Sequence, residues 1–259
     1  MNEEWKKNIN WKVHTDDNKI YIMRDHNWAF ASWEIAKLEK RINDQSIVVH
    51  VDAHLDDVPD GVLVKNLLKA QTKEEILNVC QGHDYSAGET SESYLMRIDN
   101  FIWASLARKT IEEVIYVSNY RDEVVSYEDL FIDNKDQINK LIISTLPPDF
   151  CYKHERFREI ESFLETYDKD SFANKVGSRT AILDLDIDVF NTVDDIIEPI
   201  LLSSAKVKAY TKRLVELYPW DLITIAISPI YCGGHEEAKV LLEDVFKAIE
   251  IDITELSKW

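Results

Sequence analysis

The sequence predicts a three-layer αβα fold built on a mostly parallel central sheet, and two features of the chain carry that expectation. Short β-branched runs ending in polar or acidic residues recur, each followed by a charged stretch with apolar positions at helical spacing. The runs are apolar nearly throughout, which suits strands covered on both faces of a parallel sheet.

Taken in order, strands are expected at 19–23, 46–51, 113–117, 180–187 and 222–227. Amphipathic segments between and around them are expected as helices at 28–41, 64–69, 72–79, 94–107, 127–131, 153–167, 204–217 and 236–249. Pro147-Pro148 is the strongest internal punctuation, and the sequence has no repeat or low-complexity linker, so residues 1–259 read as a single domain. In open sheets of this kind ligands bind beyond the carboxyl ends of the strands.

The net charge of −18 disfavours phosphate backbones and anionic lipid surfaces, so neither nucleic acid nor membrane is expected as a partner. Divalent ions, amines, guanidines and basic peptides are the chemistry such a field attracts. Cys80, Cys151 and Cys232 are odd in number and lack CxxC spacing, which points to a reducing cytoplasm. The N-terminus has no basic segment leading into an apolar run, and no stretch approaches 18 apolar residues, so neither export nor membrane insertion is expected.

Three motifs at strand ends carry potential chemistry. In the first, the run 47–51 leads into Asp52-Ala53-His54-Leu55-Asp56. Alternate residues of an extended chain share a face, so Asp52 and His54 can converge while Asp56 reaches in from the turn. Burying two carboxylates together is costly unless a cation compensates them. In the second, Asp184, Asp186 and Asp188 alternate with apolar residues and have no basic neighbours to balance them, which again argues for a metal site. Oxygen ligands mixed with imidazole suit Mn²⁺, Mg²⁺ or Zn²⁺, and paired sets suit a binuclear centre. The third is Asp25-His26-Asn27, just after one strand and just before a helix, where capping by Asp25 or Asn27 is the plainer reading.

Asp-His-Asn-x-Ala, Asp-Ala-His-x-Asp and Asp-x-Asp, in this order over residues 20 to about 235, resemble the ureohydrolase superfamily of arginase, agmatinase and formimidoylglutamase. The resemblance implies two Mn²⁺ per chain. His26 and Asp56 would hold one ion, His54 and Asp188 the other, and Asp52 and Asp186 would bridge. Asp184 with Asp186 is the alternative register. With Asp186 and Asp188 as the pair, Asp184 lies deeper and orients a ligand. The family's proton-shuttling histidine, which should follow the Asp-Ala-His-x-Asp motif, falls on His83, with His235 as rival.

Near Ser228-Pro229 the chain departs from the family. The arginase glutamate that binds the guanidinium falls at Ala226, and Glu236 is the nearest substitute, with Glu237 beside it; either also reads as a first-turn helix residue. Gly233-Gly234, in a chain with only six glycines, marks a tight turn or a close approach.

The overall pattern is most similar to a divergent arginase-like family that includes peptide arginases. Hydrolysis of a guanidino group is therefore expected, converting arginine within a peptide to ornithine with release of urea; a small guanidino molecule is the other substrate. Arginases are often trimers or hexamers, so a homo-oligomer is compatible with the resemblance, but the motifs that carry it do not reach the contact surfaces. Two alternatives stand beside this. One is a formimino or acetyl-amine hydrolase on the same scaffold. The other is a non-catalytic protein using its acidic surface to hold a basic partner.

Overall fold

A computed structural model describes residues 3–81, 94–132, 136–193 and 197–259. Its strands are β1 (Lys12–His14), β2 (Ile20–Met23), β3 (Ser46–Val51), β4 (Ile111–Val117), β5 (Lys153–Phe157), β6 (Ala181–Asp186), β7 (Leu222–Ala226) and β8 (Ser257–Lys258). The α-helices among the described residues are α1 (Trp28–Leu38), α2 (Lys73–Val79), α3 (Phe101–Ala107), α4 (Asp129–Ile132), α5 (Gln137–Thr145), α6 (Ile160–Thr166), α7 (Lys169–Val176), α8 (Ser204–Leu217) and α9 (His235–Ile249).

All eight strands join one sheet in the order β5-β4-β3-β6-β7-β2-β1-β8. The six strands from β5 to β2 run parallel, and β1 and β8 close the far edge antiparallel. From β3 the chain moves outward through β4 and β5, then returns to lay β6 against the other side of β3. That reversal opens a crevice at the carboxyl ends of β3 and β6.

Side-chain alternation divides the core into two layers. Ile47, Val49, Val51, Leu183, Leu185, Ile223 and Ile225 face α6, α7, α8 and α9. Val48, Ile182, Leu222, Tyr21 and Met23 face α1, α2 and α3. The three-layer expectation holds, and β3 is buried at every position. Local signals set several ends: Thr72 and Glu75 form a reciprocal capping box on α2, and Asp168 caps α7.

Some expected elements differ. Residues 153–167, read as one helix, are β5 followed by α6, because the charged Lys153-His154-Glu155-Arg156 run pairs its backbone with β4 at the sheet edge. Segment 64–69 forms only a 3-10 turn at Leu67–Lys69, entered through Asn66 in the left-handed region. The helix expected at 94–107 begins at Phe101, and that at 127–131 is the single turn α4. The short β1 and β8, and α5 and α7, had no expected counterpart. Among the described residues, no helix is long and apolar enough to cross a membrane.

Candidate metal centre

Four adjacent strands supply the site. His26 lies three residues past the end of β2, Asp52 directly follows β3, Asp186 ends β6, and Ser228 lies two residues past β7. The expected strand 180–187 stops at Asp186. Asp188 therefore reaches the site from a 3-10 turn (Ile187–Phe190), in which the Asp188 N–H donates to Asp186 Oδ1 at 3.2 Å, rather than from a continued strand face. Asp56 adopts φ 49°, a left-handed conformation that aspartate tolerates better than most residues, and this turns its carboxylate back toward Asp52.

The side chains converge in three overlapping triads. His26, Asp52 and Asp56 form one, Asp52, His54 and Asp188 a second, and His26, His50 and Asp184 a third that lies deeper, with His50 and Asp184 outside the cavity lining. His26 Nδ1 lies 3.0 Å from Asp52 Oδ2, 3.0 Å from Asp56 Oδ2 and 3.2 Å from Asp186 Oδ2. His54 Nδ1 lies 3.4 Å from Asp52 Oδ1 and 3.2 Å from Asp188 Oδ2. Each oxygen of Asp52 thus faces a different imidazole. Backbone N–H groups of His54 and Ala53 hold Asp52 Oδ1 and Asp188 Oδ1, at 2.6 and 3.2 Å, and the Ser228 hydroxyl donates to Asp186 Oδ2.

Several short approaches here are not hydrogen bonds. His26 Nδ1 and Asp188 Oδ2 are fully buried, and neither has a hydrogen-bond partner. Ligands about 2.1 Å from a shared ion at right angles sit about 3 Å apart, which is the spacing seen around His26 Nδ1. The charge balance argues the same way. Asp52, Asp186 and Asp188 are all buried, and no lysine or arginine among the described residues lines the cavity they face with Asp56. These residues fit a pair of divalent cations.

Protonation follows from that crowding. Burial, then the neighbouring Asp186 and Asp52, pushes the Asp188 carboxyl well above its usual range. Burial and the Asp52 charge raise Asp56 to about 7, and burial raises Asp57 to about 6. Burial would depress His26 and His54, but the surrounding carboxylates, Asp184 first for His26 and Asp188 first for His54, raise both. Asp52 moves the other way, because His26 and His54 outweigh its burial.

The cavity above the carboxylates measures about 380 Å³. Its wall includes Asp57, Val58, Ile98, Asp99, Tyr120 and Tyr231. Tyr120 and Tyr231 flank His54, with ring centroids 5.7 and 4.7 Å away.

Solved structures similar to this chain include amidino hydrolases, agmatinases and arginases. Proclavaminate amidino hydrolase from Streptomyces clavuligerus is 15% identical over 88% of this chain and 62% of its own, with a TM-score of 0.46. A hypothetical agmatinase from Burkholderia thailandensis is 14% identical over 89% of this chain and 56% of its own, at 0.48. Arginase from Bacillus subtilis is 14% identical over 90% and 72%, at 0.41. The chain thus spans less than two thirds of the length of the first two. No protein-family profile matches it, and neither does any curated protein.

All six residues expected as ligands meet at this one site: His26, Asp52, His54, Asp56, Asp186 and Asp188. Asn27 precedes α1 without a side-chain capping bond and donates instead to the Cys80 carbonyl. Glu236, expected as a substrate-binding acid, opens α9 on the surface, ion-paired with Lys6 at 2.6 Å, and does not line the cavity. His235 packs edge-on against Trp5. His83 lies outside the described residues. Gly233 and Gly234 have φ of 99° and 131°, and a Cβ on Gly233 would meet Pro199 Cγ at 2.3 Å, so the pair serves a turn and a close approach. Sequence reasoning passed over His50 and Thr224, which lie behind His26, and Asp57, Asp99, Tyr120 and Tyr231, which line the cavity. For His50 the signal was its place two residues before Asp52, on the same strand face.

Proposed function

We propose that this chain is a two-metal hydrolase of guanidino groups, acting on arginine within a peptide to give ornithine and urea. One observation carries the reading: Asp52 is common to two His/Asp triads, and its two oxygens face two different imidazoles. His26 and Asp56 would hold one ion, His54 and Asp188 the other, with Asp52 and Asp186 between them. Mn²⁺ is the ion the motif resemblance implies. Divalent ions held there supply Lewis acidity and activate water for attack on a planar carbon bonded to nitrogen.

The protein's own groups account for binding. Asp57, which accepts the Val125 N–H, and Asp99, which is ion-paired with Arg97, place carboxylates in the cavity wall, and Tyr120 and Tyr231 offer aromatic surface to a guanidinium beside them. The α-carboxylate of free arginine would find no lysine or arginine among the described lining residues, and an acidic wall instead. An arginine within a peptide has no such carboxylate to place. This supports the peptide over the free amino acid, as does the absence of a glutamate at Ala226.

We take residues 1–259 as one domain, because a single sheet draws strands from residue 12 to residue 258. Cys80, Cys151 and Cys232 are all free, which supports residence in a reducing cytoplasm.

Mn²⁺-loaded protein incubated with arginine-containing peptides should release urea, and each modified peptide should lose the mass of one CH₂N₂ unit. Urea from free arginine alone would transfer the substrate assignment to the amino acid. Urea from neither, with one ion per chain by metal analysis, would favour an amide hydrolase on the same scaffold.

A further inference from the structure

Across the middle of the sheet, His50, Asp184 and Thr224 are register partners on β3, β6 and β7. Two residues earlier the same strands place Val48, Ile182 and Leu222 side by side, as an interior layer should. One apolar row is therefore followed by a polar row in a fully buried position. All three polar side chains are inaccessible to solvent. Unpaired polar groups are costly in such a place, so the row needs partners within the fold.

Its hydrogen bonds run in a fixed direction and satisfy every group but His50 Nε2, which has no hydrogen-bond partner and lies 3.5 Å from Asp52 Oδ2, the oxygen on the His26 side. Trp33 Nε1, which can only donate, points at Thr224 Oγ1 from 3.3 Å. Thr224 in turn donates to Asp184 Oδ1 at 2.5 Å. Asp184 Oδ2 receives His50 Nδ1 at 2.8 Å and His26 Nε2 at 3.0 Å. A proton on His26 Nε2 leaves the Nδ1 lone pair free, and Nδ1 is the atom facing Asp52, Asp56 and Asp186. Phe101, 4.7 Å from His26 and 6.2 Å from His50 between ring centroids, braces both rings from the side. His54, at the other triad, makes no contact with Asp184; its ring is held between Tyr120 and Tyr231, and its side chain is 25% exposed.

We infer that Asp184, oriented by Thr224, is a positioning residue for one ion site only: it sets the tautomer and ring direction of His26 and leaves the His54 site unaffected. The inference rests on the two-ion reading above. It makes the two sites separable, since one has a buried carboxylate behind its histidine and the other has aromatic rings and solvent. Asparagine at 184 cannot accept all three hydrogens, because its amide nitrogen would oppose either the imidazole N–H groups or the threonine O–H.

The test is a Mn²⁺ titration read as ions bound per chain and as the affinity of each. Wild type should take up two ions. Asp184→Asn should keep one with near wild-type affinity and weaken the other by about 10–100-fold, the usual cost of losing such a partner. Thr224→Val should weaken the same ion less, and Thr224→Ser, which keeps the hydroxyl, should restore it. In an Asp56→Ala background, which removes the His26-side site, Asp184→Asn should leave the remaining ion unchanged. If Asp184→Asn does not fold, the Thr224 pair carries the comparison. Equal weakening of both ions, or of neither, overturns the inference while the two-ion reading stands. Fewer than two ions in wild type overturns that reading and the inference with it.

Discussion

The two faces of the central sheet do different work although the same strands build both. On the face toward α6 to α9, β3, β6 and β7 present Ile47, Val49, Val51, Leu183, Leu185, Ile223 and Ile225 without a polar interruption. On the face toward α1 and α3 the same strands present an apolar row, then His50, Asp184 and Thr224, and then the carboxylates of Asp52 and Asp186. A period of two lets neighbouring residues serve opposite ends. One face stabilises the fold by burial, and the other carries carboxylates that outnumber the imidazoles beside them, a surplus that bound cations would offset.

The sharpest way to break this division is at Asp52, shared by the two triads that line the cavity. Asp52→Ala should abolish binding of both ions, and all turnover with it, while circular dichroism still reports a folded α/β chain. Retention of either ion would separate the two sites completely. Next in size is the opposite face: Leu183→Ala should cost about 2–5 kcal/mol in denaturant unfolding. Its ion stoichiometry should stay at the wild-type value, and loss of ions would mean the faces are not independent.

The smallest effect concerns pH. In metal-free protein Asp57 titrates near 6 against about 4 in the unfolded chain, so the folded state holds the extra proton between those values. Stability from this group is present below about pH 4 and falls as pH rises through 6, by on the order of 2–3 kcal/mol. Asp56, raised to about 7, acts in the same direction. Added Mn²⁺ should reverse the trend, releasing protons as it binds. Urea melts at several pH values, with and without ion, would check this; metal-free stability that rises from pH 4 to 7 would sink it.

Much of the chemical face was legible because its residues obey strand periodicity. Asp52 and His54 alternate at a strand end, and Asp184 and Asp186 do the same on the neighbouring strand. The Asp188 contribution was legible as a residue but not as a geometry, since a 3-10 turn replaces the last step of the strand. His50 and Thr224 look like ordinary members of apolar strands, and only the register across β3, β6 and β7 gives them partners. Strand β5 was illegible for a different reason. Its side chains are charged or half exposed, and backbone pairing with β4, a long-range interaction, decides its conformation. Glu236 had the right charge, but local spacing could not reveal that the N-terminal turn brings Lys6 to meet it.

The left-handed backbone at Asp56 imposes two filters on one position. Geometry admits glycine, asparagine and aspartate with least penalty. Ligation admits the acidic residues and histidine. Aspartate is where those short lists overlap, so glutamate, the customary conservative exchange, is disfavoured at 56 by the main chain before the length of its side chain is considered.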